Sequence, residues 1–168
     1  MQLIRRARRL RAEDDAQAVV EFALVLPVIL LLVFGIIDLA RAVWEENTLA
    51  YSAREGTRYA IVHGAWGSTT VWPGPSGVTS CTSGQTQPPN SNCQPVYDVV
   101  RNAAIGVPNL TVTVTWRDQP SPPDVCYDRG CHVAVDATAP FIPLPSQYLL
   151  GGAFRITLRG GSELVIER

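Results

Sequence analysis

The chain contains no lysine. All fourteen of its basic residues are arginine, set against fifteen acidic ones in 168 residues for a formal net charge of -1. That balance excludes the strongly basic surface on which phosphate-backbone binding depends, so no nucleic-acid partner is expected. Histidine is almost as scarce, with only His63 and His132, and no serine sits in a nucleophile-elbow context. Glu45 and Glu46 are adjacent carboxylates, which on a helix face different ways and do not converge on one proton. The sequence therefore offers no catalytic constellation and no cofactor motif, and an enzyme is not expected.

Charge is also missing from a continuous stretch. Phe22 to Ile37 is sixteen residues without an ionisable side chain, about 24 Å of helix against a bilayer core of about 30 Å. The run reaches across only by borrowing Ala16 to Val20, which brings Glu21 into or near the hydrocarbon. A carboxylate there is costly, and an ionisable residue at such a place points to function. Pro27 lies inside the run, where its missing amide should kink or locally unwind the helix. Five arginines (Arg5, Arg6, Arg8, Arg9, Arg11) precede the run, whereas Asp38, Arg41, Glu45 and Glu46 follow it. The positive-inside rule then keeps the N-terminus cytoplasmic and exports the rest. The lipid bilayer is the first expected partner.

Four segments follow: a basic leader (1–16), a transmembrane helix (17–38), an amphipathic continuation of that helix (39–63) and an exported domain (64–168). In the continuation, Leu39, Ala42, Val43, Leu49, Ala50, Ala53, Ala60 and Ile61 fall near helical spacing and are expected to rest on the domain. Residues 64–95 are rich in Gly, Pro, Ser, Thr and Asn and read as a long loop. Pro95 to Gly106 reads as a short helix. Leu110 to Trp116 and His132 to Thr138 read as strands, with a Pro-rich turn at 119–124 between them. Phe154 to Leu158 and Leu164 to Ile166 read as two more strands, joined by a hairpin at Gly160-Gly161. The fold class is α+β: a long helix packed on an antiparallel sheet of about four strands.

All four cysteines (Cys81, Cys93, Cys126, Cys131) lie in the part expected outside the cytoplasm, where an even number favours two disulfides. Three pairings are possible, and joining 81 to 93 and 126 to 131 closes the shortest loops. Cys126, Cys131 and His132 are the residues a zinc ion would use, but they lack a CxxC pair, so no metal is expected.

The stretch AQAVVEFALVLPVILLLVFGIIDLAR, followed by NTLAYSAREGTRYA, resembles the N-terminal region of TadE-like proteins, the minor pseudopilins of tight-adherence (Tad/Flp) pilus systems. The resemblance implies a pilin-like fold, an inner-membrane location with possible incorporation in a surface pilus, and a role in assembling a type IV-like pilus and in adhesion. Implied partners are other pilins and pseudopilins, the pilus assembly platform, and a prepilin peptidase that removes the leader. Carried onto this chain, the cut falls between Ala16 and Gln17, with Ala16 standing where the family usually has Gly. Glu21 then becomes the fifth mature residue and Phe22 the sixth, and Glu21 is placed to meet the α-amino group of a neighbouring subunit. Two other readings stay open. One is a secreted disulfide-bonded domain released by a signal-peptide cut near Ala42; the other is a single-pass membrane protein outside pilus biogenesis.

Overall fold

The computed structural model describes residues 2–63, 78–82, 93–118, 126, 129–144, 147 and 154–167. One helix, α1 (Gln2–His63), runs for 62 residues, about 93 Å at 1.5 Å per residue. It starts inside the leader rather than after it. Between Met1 and Leu26 there is no Gly and no Pro, and the Arg, Ala, Leu, Gln and Glu found there are good helix formers. The backbone also stays helical through Pro27, so no local unwinding occurs there.

The remaining elements are β1 (Val78–Thr82), α2 (Gln94–Ala103), β2 (Thr111–Trp116), β3 (His132–Phe141) and β4 (Ile156–Val165). The strands form one antiparallel sheet in the order β1-β2-β3-β4. The four strand segments expected from the sequence reduce to three, because Phe154 to Leu158 and Leu164 to Ile166 belong largely to the single strand β4. The fourth strand, β1, comes from the stretch read as loop. Its residues Val78 to Thr82 pair with Thr115 to Thr111, and Cys81, buried, packs on the core side. The Pro-rich turn at 119–124 lies outside the described residues.

The expected hairpin at Gly160-Gly161 is not formed, and packing explains why. A Cβ on Gly160 would collide with the backbone of Leu49 and Ala50, so α1 crosses β4 at closest approach on this glycine. A Cβ on Gly161 would meet the Asp136 carboxylate across the pair Asp136↔Gly161. The two glycines are therefore places where helix and carboxylate come close to an unbroken strand, not a turn.

Strand alternation sets the core. Val112, Val114 and Trp116 of β2 and Val133, Val135 and Ala137 of β3 are buried beneath α1 and α2, while Thr111, Thr113 and Thr115 alternate onto the other face. α2 starts with Pro95 in its first turn and buries Val96, Tyr97 and Val100. It packs closely on α1, because a Cβ on Gly56 would run into Val100. Gly106, at φ +79°, turns the chain from α2 toward β2 beneath the Trp44 ring.

The buried stripe of α1 is the apolar one expected only in part: Leu49, Ala53 and Ala60 are buried and Ile61 packs against the core. Leu39 and Val43 are 66% and 50% exposed, whereas Asp38, Glu45, Ser52, Gly56 and Thr57 are buried with Leu49, Ala53 and Ala60. Small residues are needed where backbones approach. The hydroxyls lose nothing there: Ser52 Oγ donates to the Leu49 carbonyl (2.9 Å) and Thr57 Oγ1 to that of Ala53 (2.8 Å). Thr57 Oγ1 also reaches the Ser162 carbonyl of β4 at 3.2 Å.

Candidate functional site

From Gln17 to Ile37 every residue of α1 is exposed. The most apolar window of this part has a mean hydropathy of 2.8 and none of it is buried. Fifteen large apolar side chains from Val19 to Ile37 face outward. Leaving them in water would cost on the order of 15 kcal/mol, as much as the whole stability of a typical domain. Some apolar phase or partner has to cover them. Twenty-one residues span about 32 Å, which matches a bilayer core of about 30 Å. Among the described residues this is the one helix long and apolar enough to cross a membrane.

At the start of this segment the Gln17 side-chain amide donates to Glu21 Oε1 at 3.0 Å, one helical turn away. Glu21 is exposed and Phe22, 64% exposed, lies beside it. Ala16 is helical, and its side chain lies outside the described residues.

At the other end the helix is joined to the domain by a collar that sequence reasoning missed. Asp38, directly after the apolar run, is only 7% exposed. Its Oδ2 accepts from the Leu144 amide at 2.9 Å and its Oδ1 from Arg41 at 3.3 Å. Arg41 lies over the Phe141 ring, 5.4 Å from its centre, and reaches Glu45 at 3.8 Å. Burial raises the Glu45 pKa above its ordinary value, and the Arg41 charge only partly opposes this. The signal available in the sequence was the helical spacing of Asp38, Arg41 and Glu45. Asp38 is held by the Leu144 amide and Arg41 lies over Phe141, both a hundred residues away in the chain, so spacing along the helix gives no sign of these contacts.

The cysteines are joined in two local pairs, Cys81 with Cys93 and Cys126 with Cys131. The first ties β1 to the start of α2. The second closes the approach to β3, where Asp118 Oδ2 accepts from both the backbone amide of His132 and its ring Nδ1, the latter at 2.8 Å. These bonds, the backbone one foremost, hold the Asp118 carboxyl below the usual range. His63 stacks on Tyr59, with ring centres 3.9 Å apart, and its Nδ1 lies 3.0 Å from the Tyr59 carbonyl. Each histidine thus has a local structural partner. Among the described residues no three His, Cys, Asp or Glu side chains gather where a metal ion would sit.

Fold and anchor together define a class: a small α+β domain carried on the end of a single membrane-length helix. Within it, the model of a family described as TadE-like protein matches residues 16–58. The matched stretch holds the uncovered segment, the collar residues Asp38, Arg41 and Glu45, and the close-packing Gly56. The match is consistent with a TadE-like protein of the Tad pilus system, and the chain is similar to that family over this quarter of its length. No curated protein and no solved structure matches the chain.

Proposed function

We propose that this chain is a membrane-anchored minor pseudopilin that acts in assembly of a Tad/Flp pilus, by structure rather than catalysis. The observation that carries the reading is an apolar helix left wholly uncovered by its own domain, in the stretch similar to TadE-like proteins. In this reading the N-terminus is cytoplasmic, the domain lies outside the inner membrane, and a prepilin peptidase cuts between Ala16 and Gln17. Glu21 then meets the free amine of a neighbouring pilin-like subunit. In lipid the low dielectric strengthens that attraction and offsets part of the burial cost. Other pilins and the assembly platform are its partners.

A cut near Ala42 is disfavoured by the collar. It would part Asp38 from the Leu144 amide and Arg41 from Phe141, leaving the domain without two contacts that it makes only with the helix. Mass spectrometry of the mature N-terminus separates the readings. A start at Gln17 is expected; a start at Val43 would replace this proposal with a secreted domain, and an intact Met1 with an unprocessed single-pass protein.

A further inference from the structure

We infer that the membrane-facing end of the sheet, where β3 ends and β4 begins, is a second contact with the bilayer, so that the domain rests on the lipid surface by this end. The inference rests on the reading that residues 17–37 span the membrane. It concerns Leu39, Ile142, Leu144, Phe154 and Ile156.

Three observations place these residues together at the end of the span. Leu144 is fixed at the boundary by its backbone bond to Asp38, the first residue after the apolar run. Arg41, one turn beyond, lies over Phe141, whose partner in the sheet is Ile156. β4 runs away from this end alongside α1: Ile156 is level with Arg41 through Phe141, Gly160 with Ala50, and Ser162 with Thr57. Phe154 precedes Ile156 by two residues and so reaches up to about 7 Å further toward the membrane, while Asp38 lies about 4.5 Å below Arg41 on the helix. The level of Asp38 is therefore within reach of Phe154.

The chemistry of this end is that of an interface. Phe154 is 56% exposed, Ile156 44% and Leu39 66%, with Ile142, Pro143 and Leu144 half-buried beside them. In the sequence no Asp, Glu, Lys, Arg or His occurs between Asp136 and Arg155. Arg41, with its side chain 41% exposed, sits where an aliphatic stem in the apolar layer and a guanidinium among phosphates are both accommodated. A bilayer explains all of these exposures at once, because it continues the apolar surface that the span already occupies.

The test uses the full chain in nanodiscs of phosphatidylethanolamine and phosphatidylglycerol, with the photo-crosslinking residue benzoylphenylalanine placed singly at Ile142, Phe154, Leu30 or Thr113. Lipid adducts are expected at Ile142 and Phe154 at a yield several-fold above that at Thr113, on the outer face of the sheet. Adducts at Leu30 with only background at Ile142 and Phe154 would overturn the inference and leave the span intact. Background yield at Leu30 would instead remove the spanning reading on which it rests. A crosslink from Phe154 to a second protein chain in place of lipid also overturns it. An unsubstituted chain guards against misfolded variants: spin-labelled lipid should broaden the methyl signals of Ile142, Leu144 and Ile37 and spare Val135. Broadening of Ile37 alone would refute the contact.

Discussion

Gly160 of β4 lies against the backbone of Ala50 in α1, so close that no Cβ fits between them. This contact sets the height of the sheet along the helix, and with it the distance of the domain from the end of the apolar segment. Replacing Gly160 by Ala forces helix and strand apart, at a cost of about 1–3 kcal/mol for overpacking. The expected result is a lower denaturant midpoint for the α+β domain. Gly130, with nothing within 4 Å of its added Cβ but φ +90°, is the comparison for a purely conformational penalty. An unchanged midpoint for Gly160→Ala would mean that the crossing is looser than described.

The buried Glu45 gives stability a definite dependence on pH. Its pKa is raised above the ordinary 4.5 by burial, so the folded state holds the proton more tightly than the unfolded one. The contribution is fully present below 4.5 and is lost as pH rises through the raised value. Glu45→Gln keeps the shape without the charge, and is expected to be more stable than the parent at neutral pH and to converge with it in acid. Denaturant titrations across the range from about pH 4 to 8 read this directly. A Gln variant that is weaker at neutral pH would show that the pairing with Arg41 outweighs desolvation.

The two disulfides differ in the chain they enclose, with sequence separations of 12 and 5. By loop-closure entropy alone they are worth about 3 and about 2 kcal/mol. Replacing Cys81 and Cys93 together by Ala should thus destabilise the domain more than replacing Cys126 and Cys131. Thiol labelling of the folded, oxidised chain should find no free cysteine. Four reactive thiols, or stoichiometric zinc, would sink this prediction.

Glu21 is bonded to Gln17 within its own helix and is exposed, so no contact inside the domain depends on it. If the proposed role holds, Glu21→Ala should leave leader processing and the fold of the α+β domain intact while reducing co-purification with pilin-like partners and the number of surface pili. On the proposed pairing, removing the carboxylate relieves the helix of a desolvation cost but strands the partner's amine, so insertion should not suffer and association should. Glu21→Gln retains hydrogen bonding without charge, and a defect shared by both variants identifies charge pairing. Normal pili with both would remove Glu21 from the assembly residues.

What the sequence determined by itself was local: the uncharged run from Phe22 to Ile37 that makes an anchor, the arginine imbalance across it, the Pro95-led helix α2, and the alternating strands β2 and β3. Each follows from a periodicity or a composition that the chain carries in one place. The tertiary structure decided what two distant segments do to each other. Gly160-Gly161 carries the signal of a hairpin, but the approach of Ala50 and of Asp136 makes it the middle of a strand. Val78 to Thr82 has no strand signal strong enough to stand out of a Gly/Pro-rich stretch, and becomes a strand because β2 offers an unpaired edge. Asp38 reads as a charge at the end of the apolar run, and is buried where the segment after β3 returns to it through the Leu144 amide. Burial and backbone approach are properties of pairs of segments far apart in the chain, and a pattern read along one segment holds no information about the other.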